Sequence, residues 1–220
     1  MKWYSQKTQD IWVIDTIFNY KKNGFFVDLA ATNGISYNNT YNLEKELNWN
    51  GICIEPNNRY FEKLKQNRNC HVSNYVIDNN NDKTISFYET GDQGGIIDND
   101  TDNDPNFRKL NSTRIVEKQT KTLEYILDLY NAPKVIDYLS LDVEGAEERV
   151  LSQFPFNKYK FLSMTIERPT KSLEKILFEN DYVFVKGFFY EAFYVHKSIP
   201  NFDKIKKHPY KPTPQKHKNR

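Results

Sequence analysis

The chain has 220 residues, 38% of them hydrophobic and 27% charged, with a formal net charge of +2. Its 15 Phe, 15 Tyr and 3 Trp supply core area at about 150–250 Å² per buried ring, which excludes a chain disordered throughout. Cys53 and Cys70 are the only cysteines and both sit in apolar runs, which excludes a disulfide scaffold and predicts buried, reduced thiols. No stretch approaches the ~18 apolar residues of a membrane span. Residues 1–10 are polar and lack an apolar core, so no secretory signal is read, and a soluble cytoplasmic protein is expected.

In chain order, Phe25–Leu29 is a short apolar run after Asn23-Gly24 and reads as the first strand. Asn38–Asn48 reads as a helix packing through Tyr41, Leu43 and Leu47. Gly51–Ile54 is a second buried strand, and Asn57–Gln66 a helix with Tyr60, Phe61 and Leu64 on one side. His71–Ile77 and Thr84–Tyr88 read as strands. Thr122 caps a helix carrying Leu123, Ile126, Leu127 and Tyr130. Val135–Leu141 and Phe161–Ile166 read as strands, each followed by a helix, Glu144–Gln153 and Ser172–Glu179. Tyr182–Val185 and Ala192–His196 form an antiparallel pair around Gly187. Strand and helix alternating at this spacing predict one doubly wound α/β sheet with parallel strands and an antiparallel edge hairpin.

Two stretches fall outside this alternation. Gly91–Asn106 carries Asp92, Asp98, Asp100, Asp102 and Asp104 with no basic residue. A loop of that length is a binding loop, a cover over a site or disordered. The run from Asp98 to Asp104 lacks the glycine and the terminal Glu of a calcium-binding EF-hand loop. After Asp203 come seven basic residues and no acidic one, leaving the rest of the chain five charges negative. Pro209, Pro212 and Pro214 forbid a regular helix there. Residues 1–203 are therefore read as one domain and 204–220 as a mobile basic tail, a possible handle for an anionic partner such as nucleic acid.

Doubly wound sheets bind ligands at the carboxyl ends of their strands. The first strand runs into Asp28-Leu29-Ala30-Ala31-Thr32-Asn33-Gly34, small residues that let a backbone approach a ligand. The second runs into Glu55-Pro56, and Glu55 lies 21 positions beyond Gly34. An acidic residue at that distance is placed to accept two hydrogen bonds from a ribose diol. The first turn does not spell G-x-G-x-x-G. Nicotinamide and flavin enzymes use those glycines to bring amides onto a pyrophosphate, so a nucleoside without pyrophosphate, S-adenosylmethionine, fits better. The strand Tyr138–Leu141 ends in Asp142-Val143-Glu144-Gly145-Ala146-Glu147, and Ser163–Ile166 ends in Glu167-Arg168-Pro169. Asp142, Glu144 and Glu167 are thereby expected to converge at the sheet edge as candidate catalytic carboxylates, with Glu147 favouring the helix start.

These residues together resemble the FkbM-type S-adenosylmethionine-dependent methyltransferases. The resemblance is carried by Ser5–Asp10, Gly24–Gly34, Asn39–Pro56 and Tyr138–Glu147, most specifically by Trp-x-Gly-x-x-x-Glu-Pro and Asp-Val-Glu-Gly-Ala-Glu. It covers roughly residues 4–196. It implies a Rossmann-like class I methyltransferase fold with a mostly parallel seven-stranded sheet. It implies O-methylation of a hydroxyl on a sugar, glycan or small metabolite. It also implies a cofactor site using Asp28, Ala30, Thr32, Asn33, Gly34, Glu55, Pro56 and Asp142, with Gln6, Gln9 and Asp10 over the methionine end. Val76, Ile77 and Asp78 are the candidates facing the adenine. The family's Gly-Ala-Asn-Asp-Gly turn is here Ala30-Ala31-Thr32-Asn33-Gly34. The methyl of Ala30 is tolerated at negative φ, and at positive φ it lowers cofactor affinity.

The expected chemistry is direct displacement onto a hydroxyl oxygen, with Asp142 as first choice of base and Glu144 or Glu167 as second. The acidic cluster could instead hold Mg²⁺, which would lower the hydroxyl pKa. His196 is a weaker base candidate, and His71 is expected to be structural. The alternatives are a non-catalytic adenosyl-binding protein, a nucleic-acid methyltransferase guided by the tail, and a nicotinamide enzyme. The acceptor is expected to depend on the Gly91–Asn106 loop and on Phe188, Phe189 and Tyr190.

Overall fold

The computed structural model describes residues 1–215. Its centre is a seven-stranded sheet in the order β10-β11-β9-β8-β1-β2-β3. The strands are β1 (Phe25–Leu29), β2 (Asn50–Ile54), β3 (His71–Ser73), β8 (Val135–Leu141), β9 (Lys160–Glu167), β10 (Tyr182–Phe188) and β11 (Glu191–His196). β1, β2, β3, β8 and β9 pair in parallel, and β11 runs antiparallel to both β9 and β10. The expected sheet and its edge hairpin are therefore present. Helices cover both faces, which is why the strands are near-continuous apolar runs.

One face buries Leu123, Ile126 and Leu127 of α4 (Leu123–Leu129), Leu151 of α5 (Glu147–Leu151), and Leu173 and Leu177 of α6 (Lys171–Glu179). The other buries Leu43 and Leu47 of α2 (Tyr41–Leu47) and Leu64 of α3 (Asn58–Asn67). It also holds Trp12, Val13 and Ile14, in a π-helical stretch, Trp12–Ile17, that continues the short α1 (Gln9–Ile11). Asn57 caps α3 by accepting from Arg59 and Tyr60, and Thr122 caps α4 by accepting from Tyr125. Cys53 and Cys70 are buried, unbridged thiols 3.6 Å apart.

Three sequence expectations change. His71–Ile77 is not one strand: after β3 the chain leaves the main sheet, and β4 (Val76–Ile77) joins a second one. That four-stranded sheet, β4-β7-β5-β6, contains β5 (Thr84–Tyr88), β6 (Gly95–Ile96) and β7 (Ile115–Lys121). β7 escaped the sequence reading because its face alternates with exposed Glu117 and Gln119, so it lacks an apolar run. The helix expected from Glu144 begins at Glu147, because Glu144 and Gly145 both adopt positive φ, 55° and 93°. Residues 205–215 of the expected tail lie along the domain. His208 N donates to Val185 O, Tyr210 Oη to Glu174, and Gln215 Nε2 to Pro169 O. The rest of that tail, 216–220, lies outside the described residues. Among the described residues, no helix is long and apolar enough to cross a membrane.

Candidate active site

Two adjoining pockets open at the carboxyl ends of β1, β2, β8 and β9. The first encloses about 580 Å³ including its mouth. Leu29, Ile54, Val76, Ile77, Phe87, Ile96 and Val143 make it largely apolar, and Glu55, Pro56 and Asn57 close one end. The second, about 1070 Å³ with its mouth, is polar and lined by Gln6, Lys7, Gln9, Tyr37, Asn39, Gln93, Asp142, Glu144, Glu167, Arg168 and Tyr190. Ala30, Thr32 and Asp92 line both, so the pockets share a wall.

Glu55 stands where β2 ends and is almost fully buried. Its Oε2 accepts from Thr32 N at 2.8 Å and its Oε1 from Asn57 N at 2.8 Å. A carboxylate offers about four lone-pair sites, so each oxygen retains capacity for a ligand hydroxyl. Burial raises the Glu55 carboxyl to about 7, against the pull of those two amides. Thr32 reaches Glu55 only because the turn is sharp: Ala30 has φ 62° and Thr32 φ 48°. The condition that makes the Ala30 methyl costly is therefore met, at about 1–2 kcal/mol for an L-residue in this region.

Asp28, Asn33 and Gly34 shape the site from behind and line neither pocket. Asp28 was expected against the cofactor. It is fully buried, accepting from Asn38 Nδ2 at 2.9 Å and Thr40 Oγ1 at 2.7 Å, and burial raises its pKa. Arg68 donates to Asn38 Oδ1 and Thr40 Oγ1 and pairs with Glu44, completing a network that fixes the 30–40 loop. Asn33 accepts from Ile35 and Ser36 and builds the turn itself. Gly34, at φ 79°, leaves no room for a Cβ, which would lie 2.7 Å from Arg68 and Leu64. Asp10 is likewise withdrawn, because its carboxylate accepts from Tyr4 N, Ser5 N, Ser5 Oγ and Ile11 N. It instead pins the N-terminal segment so that Gln6, Lys7 and Gln9 face the polar pocket. Asp78, the other residue expected near the adenine, sits 3.8 Å from Arg149 and does not line the apolar pocket, whereas Val76 and Ile77 do.

The three expected carboxylates do converge. Asp142, Glu144 and Glu167 all line the polar pocket. Glu167 Oε1 accepts from Arg168 Nη1 at 2.6 Å, and its carboxyl lies in hydrogen-bonding contact with Asp142. Burial and then the neighbouring Asp142 push the Glu167 carboxyl far up. Behind them, Glu147 accepts from Val143 N and Gly145 N, and burial raises it to about 8. Its part is thus to fold the Asp142–Ala146 turn as well as to begin α5. Glu191, raised by burial and Asp142, completes the group. The sequence reading missed Glu191, although its register opposite Glu167 in the β9–β11 pair brings it there. Asp102, Glu144 and Glu167, and separately Asp142, Glu147 and Glu167, are close enough to share a cation. His196 is remote from these pockets, bonded to Ser198 and packed on Tyr182. His71 stacks on Tyr130 at 4.8 Å, a packing role.

The methyltransferase FkbM domain matches residues 28–189, well over half the chain. The chain belongs to the FkbM methyltransferase family. No curated protein matches it. Among solved structures, the METTL16 methyltransferase domain superposes with a TM-score of 0.44 at 11% identity, covering 84% of this chain and 64% of that one. At that distance the match carries no weight here. The FkbM match begins at Asp28, inside β1, and includes the turn, Glu55, and the Asp142 and Glu167 strand ends, so both pockets lie largely within it. The FkbM domain also spans the second sheet and the 91–106 loop that walls the pockets.

Proposed function

We propose that this FkbM domain binds S-adenosylmethionine and methylates a hydroxyl oxygen of a sugar, glycan or small metabolite. One observation carries the reading: an apolar pocket ending in an anchored carboxylate shares a wall with a pocket of carboxylates. The first suits an adenosine, with its ring against Val76, Ile77 and Phe87 and its diol on Glu55. The absence of the glycine fingerprint suits a ligand without pyrophosphate.

When bound, S-adenosylmethionine supplies a methyl group already activated for displacement. The chain's residues do the rest. Glu55, held by Thr32 and Asn57, orients the ribose. Leu29, Ile54 and Val143 exclude water from the nucleoside side. Gln6 and Gln9 face the methionine side. Asp142, at the end of β8, takes the proton of the acceptor hydroxyl, a contribution of about 10²–10⁴-fold. Glu167, its carboxyl raised by burial and by the neighbouring Asp142, stands beside it as the second carboxyl of the pocket. Positioning the oxygen in line with the methyl supplies the larger share.

The test is calorimetry with S-adenosylmethionine, followed by transfer of labelled methyl to a panel of sugars and hydroxylated metabolites. Micromolar binding and base-stable label on oxygen support the reading. No binding to the purified protein, or label on nitrogen alone, overturns it.

A further inference from the structure

Arg168 has three unusual properties together. It follows β9 with φ 43°, a left-handed conformation that a long side chain adopts at a cost of order 1–3 kcal/mol. Its guanidinium is buried, with 7% of the side chain exposed. It faces three carboxylates from three parts of the chain. Nη1 meets Glu167 Oε1 at 2.6 Å, Nη2 is 3.6 Å from Glu144, and Nη2 also bonds Asp102 of the 91–106 loop. The backbone is tied as well, because Arg168 N donates to Tyr190 O at 2.8 Å and the guanidinium lies over the Tyr190 ring.

Asp102 is the other half of this joint. Its amide donates to Glu144 O at 2.9 Å. A Cβ on Gly145 would lie 2.7 Å from that amide, so the loop seats on the β8 turn only over a glycine. The same loop contributes Asp92 to both pockets, Gln93 to the polar one, and Gly94–Ile96 to the nucleoside one. A buried fork shared by the loop and two pocket carboxylates fixes both at once.

We propose that Arg168 is a positioning residue of the methyl-transfer site: it locks the 91–106 loop over both pockets through Asp102 and holds Glu144 and Glu167 at the acceptor side. The role in transfer rests on the function proposed above, whereas the lock is a property of the protein alone. Breaking the fork frees the loop's part of the wall the pockets share, Asp92. Removing its positive charge also leaves a more negative field beside the acceptor carboxylates, which a sulfonium feels and a thioether does not.

The experiment uses the full chain with Arg168→Met, Arg168→Lys and Asp102→Asn. Amide hydrogen exchange is read on cofactor-free protein. Affinities for S-adenosylmethionine and S-adenosylhomocysteine are read by calorimetry. Expected are exchange at least about tenfold faster at 101–104 in Arg168→Met and Asp102→Asn, with β1 and β8 amides unchanged. Both ligands weaken in Arg168→Met, and the preference for S-adenosylmethionine over S-adenosylhomocysteine rises about threefold or more. Arg168→Lys, which keeps the charge, recovers the wild-type ratio. Unchanged exchange at 101–104, an unmoved ratio, or equal acceleration throughout the core overturns the proposal. Failure of the wild type to bind either ligand, with the exchange result intact, instead overturns the methyl-transfer reading and leaves the lock standing.

Discussion

Glu55 offers a quantitative test of the cofactor site. Glu55→Gln keeps the length and one acceptor oxygen but loses the charge behind two backbone bonds and, in the proposed complex, two diol bonds. A hydrogen bond to a charged group contributes about 1.5–3 kcal/mol against about 1 for a neutral one. Losing the charge on the diol bonds alone weakens S-adenosylmethionine binding by about 2–3 kcal/mol, or about 30–150-fold. The carboxyl of the free protein lies at about 7, so this penalty depends on pH. Near pH 6 only about a tenth of Glu55 is ionised, and near pH 8 about nine-tenths. Wild-type affinity therefore rises about tenfold between those values, with proton release on binding, while Glu55→Gln stays flat. Calorimetry in two buffers of different ionisation heat measures both. A flat wild-type profile together with an unchanged Glu55→Gln affinity refutes the assignment. Stability moves the opposite way: the folded carboxyl binds its proton more tightly than the unfolded one, raised from 4.5 to about 7. The Glu55 contribution is therefore fully present below 4.5 and is lost as pH rises through about 7.

Other outcomes follow from the same geometry. Asp142→Asn retains S-adenosylmethionine affinity within about threefold and loses methyl transfer by about 10²–10⁴-fold; near-normal turnover removes Asp142 as the base. Ala30→Gly relieves a φ of 62°. Relief of about 1–2 kcal/mol, less about 0.5–1 for glycine's unfolded-state freedom, leaves a net gain near 0.5–1 kcal/mol. Its melting temperature rises by about 2 °C with affinity equal or better, and a fall in both contradicts the strain. Gly51→Ala puts a Cβ 2.5 Å from the Phe26 ring and 2.6 Å from Phe26 O. It costs about 2–3 kcal/mol, seen as a melting temperature lower by about 5–10 °C. Chelation leaves methyl transfer unchanged if Asp142 works alone, and abolishes it if the carboxylate group holds a divalent cation.

The main sheet was legible because parallel strands covered on both faces must be apolar, as Val135–Leu141 and Phe161–Ile166 are. Glu55 and the Asp142, Glu144 and Glu167 cluster were legible for a related reason, since carboxyl ends of such strands face ligands. The second sheet was not, because β4 has two residues and β7 puts Lys118 and Thr120 on its covered side and Ile115 on its exposed one, so its hydropathy does not alternate. Asp10, Asp28 and Asn33 were assigned to the ligand although their oxygens serve nearby backbone and side-chain donors. A sequence shows which residues can accept a hydrogen bond, and competition among donors is decided in three dimensions. Arg168 carries no signal in the sequence beyond its place at a strand end, since its partner Asp102 lies 66 positions away.

The cover over the two pockets, from Val76 to Lys121, is a single excursion of the chain whose ends meet where β4 pairs with β7. Its tip brings Asp92 and Gln93 to the polar pocket, and it takes no part in the β1–β2 and β1–β8 registers. In the proposed complex this one excursion supplies a side of both pockets, Val76, Ile77, Phe87 and Ile96 at the nucleoside and Asp92 and Gln93 toward the acceptor, while Glu55 and its anchors Thr32 and Asn57 stand outside it.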